Sequence, residues 1–269
     1  MTRCASLGMY DHPAQRWAND ALWAAIADEL RRRGVIEVPG TLDRSRDVHS
    51  IWRDPGLILG QACGYPMATD HSLSLRIVAL PTYDALGCTT GTHRSLLVVR
   101  RDDAAATLTD LCGRRAAIND PASNTGMNLF RAAIAPVAGG RSFFAAVDCT
   151  GSHRDSALAV ATGGADIAAI DAVTFAALDR YEPDITRRLR VLGATPPSPS
   201  LPLVTTATTD DATLDILRRA LMAALAEPSL ADARAALFLA GATIPADDAL
   251  TPLTTLAHDA AELGYPLLC

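Results

Sequence analysis

Apolar and polar positions along the chain switch repeatedly between a strand-like and a helix-like period. Residues 3–8 read as a short strand of small apolar side chains, and Met9-Tyr10-Asp11-His12 is the loop at its end. Pro13 suits the first position of a helix, and Ala18, Leu22, Ala25, Ile26 and Leu30 then keep the 3.6-residue spacing of one buried face. Arg31, Arg32 and Arg33 fall in the last turn, where cations complement the helix dipole, and Gly34 closes the segment. The arginine run therefore has a structural explanation, and Trp17 and Trp23 on the same helix read as packing residues.

Short apolar runs follow at Val35–Val38, Leu57–Leu59, Leu75–Leu80 and Leu96–Arg100. A second alternation begins with a strand at Arg115–Ile118, a helix at Asn124–Ala135 and a strand at Phe143–Val147. It continues with a helix over 153–162, a strand at Asp166–Ile170, a helix at Ala172–Arg180 and a strand at Leu189–Leu192. Thr195-Pro196-Pro197-Ser198-Pro199-Ser200 is a proline-rich linker. Beyond it the pattern predicts a strand at Leu203–Thr206 and helices near 210–225, 229–239 and 247–263. Strands alternating with helices predict an α/β fold with mixed, mostly parallel sheets. The segment after the linker has too few strands for a third domain, so it is expected to return to the first block. Residues 1–93 with 200–269 would then form one lobe and 94–199 the other. Crossovers near 93–98 and 194–202 would make a hinge, with a ligand cleft between the lobes.

Composition narrows the chemistry. A chain of 269 residues that is 49% hydrophobic but only 5% aromatic must build a mostly aliphatic core. A net charge of −6 without a basic stripe or tail argues against nucleic acid as partner. All 24 basic residues are arginines, so lysine Schiff bases and phosphate-loop lysines are excluded. Any bound anion must be held by arginine, backbone amides, hydroxyls or histidine. No apolar run approaches the roughly 18 residues of a membrane span. Met1 to Gly8 is too short and too quickly polar for a signal peptide, which leaves a cytosolic chain, or one whose true start lies upstream, as the expectation. Six scattered cysteines lack zinc-site spacing, so no metal and no cofactor is expected; Cys63 with Cys88 is the one nominated disulfide.

The candidate chemistry lies where strands lead into helices, because ligands of open parallel sheets bind beyond the carboxyl ends of strands. In Asn119-Asp120-Pro121-Ala122-Ser123-Asn124-Thr125-Gly126, capping oxygens precede free first-turn amides, a lysine-free anion site or a plain helix cap. Thr150-Gly151-Ser152-His153 repeats the arrangement, with His153 an anion donor or a capping residue. Asp171, after an apolar strand, either accepts from a ligand or caps the next helix. In the first block Tyr10, Gln61 and Tyr83 follow three strands and offer hydroxyl, amide and ring surfaces. No nucleophile–base pair is evident, so no catalytic residue is assigned.

Taken together, several segments resemble the substrate-binding proteins of phosphate/phosphite/phosphonate ABC transporters, in the type II periplasmic-binding-protein superfamily. They are Leu7-Gly8-Met9-Tyr10, Gln61-Ala62-Cys63-Gly64-Tyr65-Pro66, Gly87-Cys88, Arg94 to Arg100, Asn119 to Asn128, Thr150-Gly151-Ser152-His153 and Ala165 to Asp171. The resemblance implies a monomeric, periplasmic, two-lobed protein that closes over a small oxyanion (phosphonate, phosphite or phosphate) and delivers it to an ABC permease. It implies a ligand set of Ser123, Asn124, Thr125, Gly126 and His153 with Tyr10 as a wall, and Asp171 as the acceptor of an aminophosphonate's amino group. Thr92-His93 stands where an aromatic is expected, and Asn124 where a hydroxyl residue is frequent. The alternatives are a cytosolic enzyme of this fold acting on a small organic anion, and a soluble ligand sensor.

Overall fold

The computed structural model describes residues 3–268. Twelve strands occur among them: β1 Cys4–Ser6, β2 Leu57–Gln61, β3 Leu75–Tyr83, β4 Thr92–His93, β5 Ser95–Arg100, β6 Arg115–Ile118, β7 Ala146–Cys149, β8 Ile167–Asp171, β9 Leu189–Ala194, β10 Ser198–Pro199, β11 Leu203–Thr206 and β12 Leu239–Thr243. The α-helices are α1 Arg16–Arg32, α2 Val48–Trp52, α3 Gly64–Thr69, α4 Leu129–Ala138, α5 His153–Ala161, α6 Ala172–Tyr181, α7 Pro183–Thr186, α8 Asp211–Ala226, α9 Ala231–Ala236 and α10 Thr251–Glu262. A π-helical turn, Asn124–Asn128, leads directly into α4.

The chain divides into two compact units. The first holds residues 1–84, 89–92 and 199–249; the second holds 85–88, 93–198 and 250–269. The chain passes between them at the short strands β4 and β10, which pair with each other. The expected division therefore needs two corrections: residues 85–88 fall in the second unit, and so does the last segment. Residues 250–269 belong with the second unit, because Leu253, Ala260, Tyr265 and Leu268 are buried and Arg131 of α4 donates to the Pro266 carbonyl at 2.7 Å. The segment 203–243 does return to the first unit, as β11, β12 and the helices between them.

The first unit is built on a sheet of order β1-β2-β11-β3-β12. Its core on one side gathers Leu22, Trp23, Ile26 and Leu30 of α1 with Leu214, Leu217 and Leu221 of α8. A smaller cluster around Ile51, Trp52 and Leu57 fills the other side. Val35–Val38, expected as a strand, is irregular: Glu37 has φ 55° and only Val35 and Val38 pack on the core.

The second unit has the sheet order β7-β6-β8-β5-β9. Its inner strands β5, β6 and β8 are buried on both faces, which explains their continuous apolar runs. Leu97 and Val99 join the cluster under α4 and α10, while Leu96 and Val98 join the one under α5. The alternation is that of a pleated strand. Both sheets are mixed. Among the described residues the parallel pairings are β1 with β2 and β6 with β7 and β8, while β5 and β11 run antiparallel to their neighbours. Antiparallel pairing is thus more extensive than the helix–strand alternation predicts, because each unit includes one strand entered directly from a crossover rather than through a helix. Cys63 and Cys88 carry thiols, and the nominated disulfide is absent. Each behaves as a small buried or half-buried apolar group.

Candidate functional site

Three parallel strands of the second unit, β6, β7 and β8, end at the same sheet edge, and each hands over to a helix start. That topology brings Ser123–Gly126, His153 and Asp171 together. After β6, Asp120 turns the chain by accepting from the Ala122 amide at 2.6 Å, and Ser123 then stands extended (φ −69°, ψ 138°) as the helix cap. Ser123 Oγ accepts from the Gly126 amide at 3.0 Å, and the Ser123 carbonyl accepts from the Asn128 amide at 3.0 Å. The wider π turn offsets the start of α4 from its strand. First-turn amides lack intrahelical acceptors and carry the positive end of the helix dipole.

Gly126 is required by close approach. A methyl group there would fall 1.7 Å from Asn119 Oδ1 and 3.1 Å from His153 Cε1. The absent side chain lets both groups sit directly on the helix start. Asn119 Oδ1 is buried with no hydrogen-bond partner among the described residues.

Thr125, 4% exposed, is held twice. Its Oγ1 lies 2.8 Å from His153 Nε2, and its carbonyl accepts from Ser95 Oγ at 2.7 Å. Asn124 donates to Ser198 Oγ at 3.0 Å, and its own Oδ1 accepts from Asn128 Nδ2 at 3.2 Å. Asn128 in turn donates to the Leu253 carbonyl at 3.1 Å and accepts from Arg131 at 2.7 Å. The helix start is thus anchored by a polar network reaching into the interior of its unit, which fixes its geometry in advance of any ligand.

His153 is the first residue of α5, whose cap is Ser152. The Asp171 amide approaches His153 Nδ1 at 3.5 Å. Burial pushes the imidazole below its ordinary pKa, a shift opposed by the Asp171 carboxylate and by the Ala169 carbonyl and reinforced by His93. His153 is therefore neutral at pH 7. Asp171, 1% exposed, does cap α6: its Oδ1 accepts from the Val173 amide at 2.9 Å and the Thr174 amide at 3.1 Å. Its Oδ2 lies 3.2 Å from Nδ1 of His93, a fully buried ring. Burial alone would raise the Asp171 pKa, but the contact and charge of His93, the charge of His153 and the Thr174 amide hold it below the usual carboxylate range. Cys88 stands near enough to feel that charge, and burial together with Asp171 pushes its thiol up to about 12, so it is not a nucleophile.

In the first unit Tyr10 lies in the turn after β1, and Gln61 and Tyr83 are the last residues of β2 and β3. Gln61 Nε2 donates to the Tyr83 hydroxyl at 2.9 Å and to the Leu201 carbonyl at 3.2 Å. The Tyr10 and Tyr83 rings meet edge to face at 5.4 Å. With Gln15 and Asn19 they line a cavity of about 40 Å³. Asn19 holds the Tyr10 loop, donating to the Tyr10 carbonyl at 2.9 Å and to Asp11 Oδ1 at 3.0 Å.

The candidate residues thus gather in two groups: Tyr10, Gln61 and Tyr83 in one unit, and Ser123, Asn124, Thr125, Gly126, His153 and Asp171 in the other. Sequence reasoning missed Ser95, Asn119, Asn128 and Ser198 as supports and left His93 without a role. Among the described residues no three His, Cys, Asp or Glu side chains form a group suited to a metal.

Residues 58–250 match the family described as ABC transporter, phosphonate, periplasmic substrate-binding protein. No curated protein matches the chain in sequence. Among solved structures, a binding protein component of a Pseudomonas aeruginosa ABC phosphonate transporter is 20% identical with a TM-score of 0.76, covering 97% of this chain and 87% of that one. A Prochlorococcus marinus protein in complex with methylphosphonate is 13% identical with a TM-score of 0.70, covering 97% and 98%. A Xanthomonas citri protein bound to ATP is 17% identical with a TM-score of 0.71, covering 98% of each chain. At these identities the likeness is one of fold.

Proposed function

Because the chain belongs to the family of periplasmic substrate-binding proteins of phosphonate ABC transporters and has the α/β fold of type II periplasmic binding proteins, we propose that it captures a small phosphorus oxyanion on the Ser123–Gly126 helix start and His153. The observation that carries this is the 2.8 Å contact of Thr125 Oγ1 with His153 Nε2 beside a glycine whose missing side chain lets the imidazole close on the helix start. Hydroxyls, first-turn amides and an imidazole are the donors open to a chain without lysine. Charge-assisted hydrogen bonds from preorganised donors to an oxyanion are among the strongest available in a protein. The structural neighbours solved with methylphosphonate and with ATP both hold phosphorus oxyanions, in keeping with that ligand class.

The family is one of transport receptors, so an ABC permease is the partner to which captured ligand would pass, and the periplasm its place of work. No helix among the described residues is long and apolar enough to cross a membrane.

A thermal-shift titration with phosphate, phosphite, methylphosphonate, sulfate and small carboxylates tests the reading. At about a hundred times its dissociation constant a ligand adds roughly 2.7 kcal/mol of stability. The expected result is a rise in Tm with a phosphorus oxyanion, lost in Thr125→Val and His153→Ala. A response confined to carboxylates, or one unchanged in both variants, refutes it.

A further inference from the structure

An exposed carboxylate beside an oxyanion site would accept an ammonium group on the same ligand, and Asp171 stands at the right strand end to do so. Its surroundings leave it little capacity. Both backbone amides of the first turn of α6 fall on Oδ1, and His93 Nδ1 lies 3.2 Å from Oδ2. A carboxylate offers about four acceptor positions; two amides take Oδ1, and the His93 ring stands against Oδ2. The side chain is 1% exposed and His93 is 0% exposed, so neither partner is readily exchanged for solvent or ligand.

We propose that His93 determines specificity: by occupying Asp171 it restricts the site to oxyanions that carry no cationic substituent at this position. The inference rests on the oxyanion reading of Ser123–Gly126 and His153. The pairing is set by the backbone. β5 pairs with β8 so that Ser95 lies opposite Asp171, which places His93, two residues earlier, against the same carboxylate. Two further features point the same way. An ammonium entering here would have to displace a buried imidazole from a buried carboxylate and give up its own hydration, which is costly in a buried site. Neither Nδ1 nor Nε2 of His93 has a hydrogen-bond partner among the described residues, so no other group competes with Asp171 for the ring.

Isothermal titration of the full chain at pH 7 with methylphosphonate, phosphite and 2-aminoethylphosphonate tests the proposal. The wild type should bind methylphosphonate at least about tenfold more tightly than 2-aminoethylphosphonate, a difference of about 1.4 kcal/mol. In His93→Asn, which takes the ring away from Asp171 Oδ2, that preference should shrink or reverse. Adding Asp171→Asn should cancel the change. Where the variants do not fold, the wild-type preference alone decides. Equal or tighter wild-type binding of 2-aminoethylphosphonate overturns the proposal while leaving the oxyanion reading intact. Binding of none of the three overturns the oxyanion reading and the proposal with it.

Discussion

The two units finish their strands in different chemistry. In the first, the carboxyl ends of β1, β2 and β3 carry Tyr10, Gln61 and Tyr83, uncharged groups joined by one side-chain hydrogen bond and an edge-to-face ring contact. In the second, β6, β7 and β8 run into three helix starts, and among them lie two imidazoles and a buried carboxylate. The first arrangement offers shape and neutral hydrogen bonds. The second offers a positive dipole end and a buried carboxylate with two imidazoles beside it. Among these strand ends the titratable groups are therefore concentrated in one unit, and changes there should cost far more than changes in the other.

The largest effect is expected at the buried pair. Asp171→Ala leaves the fully buried His93 ring without its carboxylate partner and removes the cap of α6. Breaking a buried pair from one side costs about 3–5 kcal/mol. The melting temperature should fall by about 10 °C, since each kcal/mol moves a domain of this size by roughly 2–4 °C. A fall no larger than that of an exposed substitution such as Asp184→Ala would show that the pair is not the anchor described here.

A pH titration sharpens the same contrast. The His153 pKa lies below its ordinary value of 6.5, chiefly through burial. Above that value the ring is neutral both folded and unfolded, and stability is at its full level. As pH falls below about 6.5, the unfolded chain takes up a proton that the folded chain refuses, so stability declines until the lower, folded pKa is passed. Asp171, whose pKa is depressed from 3.8, adds a further loss only at more acid pH. Chemical denaturation at pH 7.5 and 5.5 should therefore show a drop in the wild type. His153→Gln, which keeps a polar side chain without the titration, should reduce that drop. An equal drop in the variant would assign the effect to another group.

Much of this site was legible before any coordinates. The Ser-Asn-Thr-Gly helix start and the Gly-Ser-His motif could be read from single strand–helix junctions, because capping and dipole arguments are local. Asp171 was visible too, and its capping role is the one its surroundings favour. His93 was not legible. Its place beside Asp171 follows from the register that sets Ser95 opposite Asp171 across two strands more than seventy residues apart, which no local pattern records. The same limit misplaced α10. Its apolar face is evident in sequence, but nothing in that periodicity says which sheet it covers, and the deciding partners, Asn128 and Arg131, are long-range. The extent of antiparallel pairing was hidden for a related reason. A strand entered from a crossover has the same alternation as one entered from a helix.

The smallest effect tests the neutral side of the comparison. Tyr83→Phe removes the hydroxyl that accepts from Gln61 Nε2, but that amide keeps the Leu201 carbonyl at 3.2 Å, so no donor is orphaned. The ring contact with Tyr10 needs no hydroxyl. A neutral hydrogen bond contributes about 0.5–1.5 kcal/mol, and the retained partner places this case at the low end. Stability should fall by less than about 1 kcal/mol by denaturant titration. If capture depends mainly on the second unit, oxyanion affinity should fall by no more than about threefold, against more than about tenfold for His153→Ala. A loss on Tyr83→Phe as large as on His153→Ala would mean that the two units share recognition equally, and the contrast between a charged and a neutral side would then describe composition without describing function.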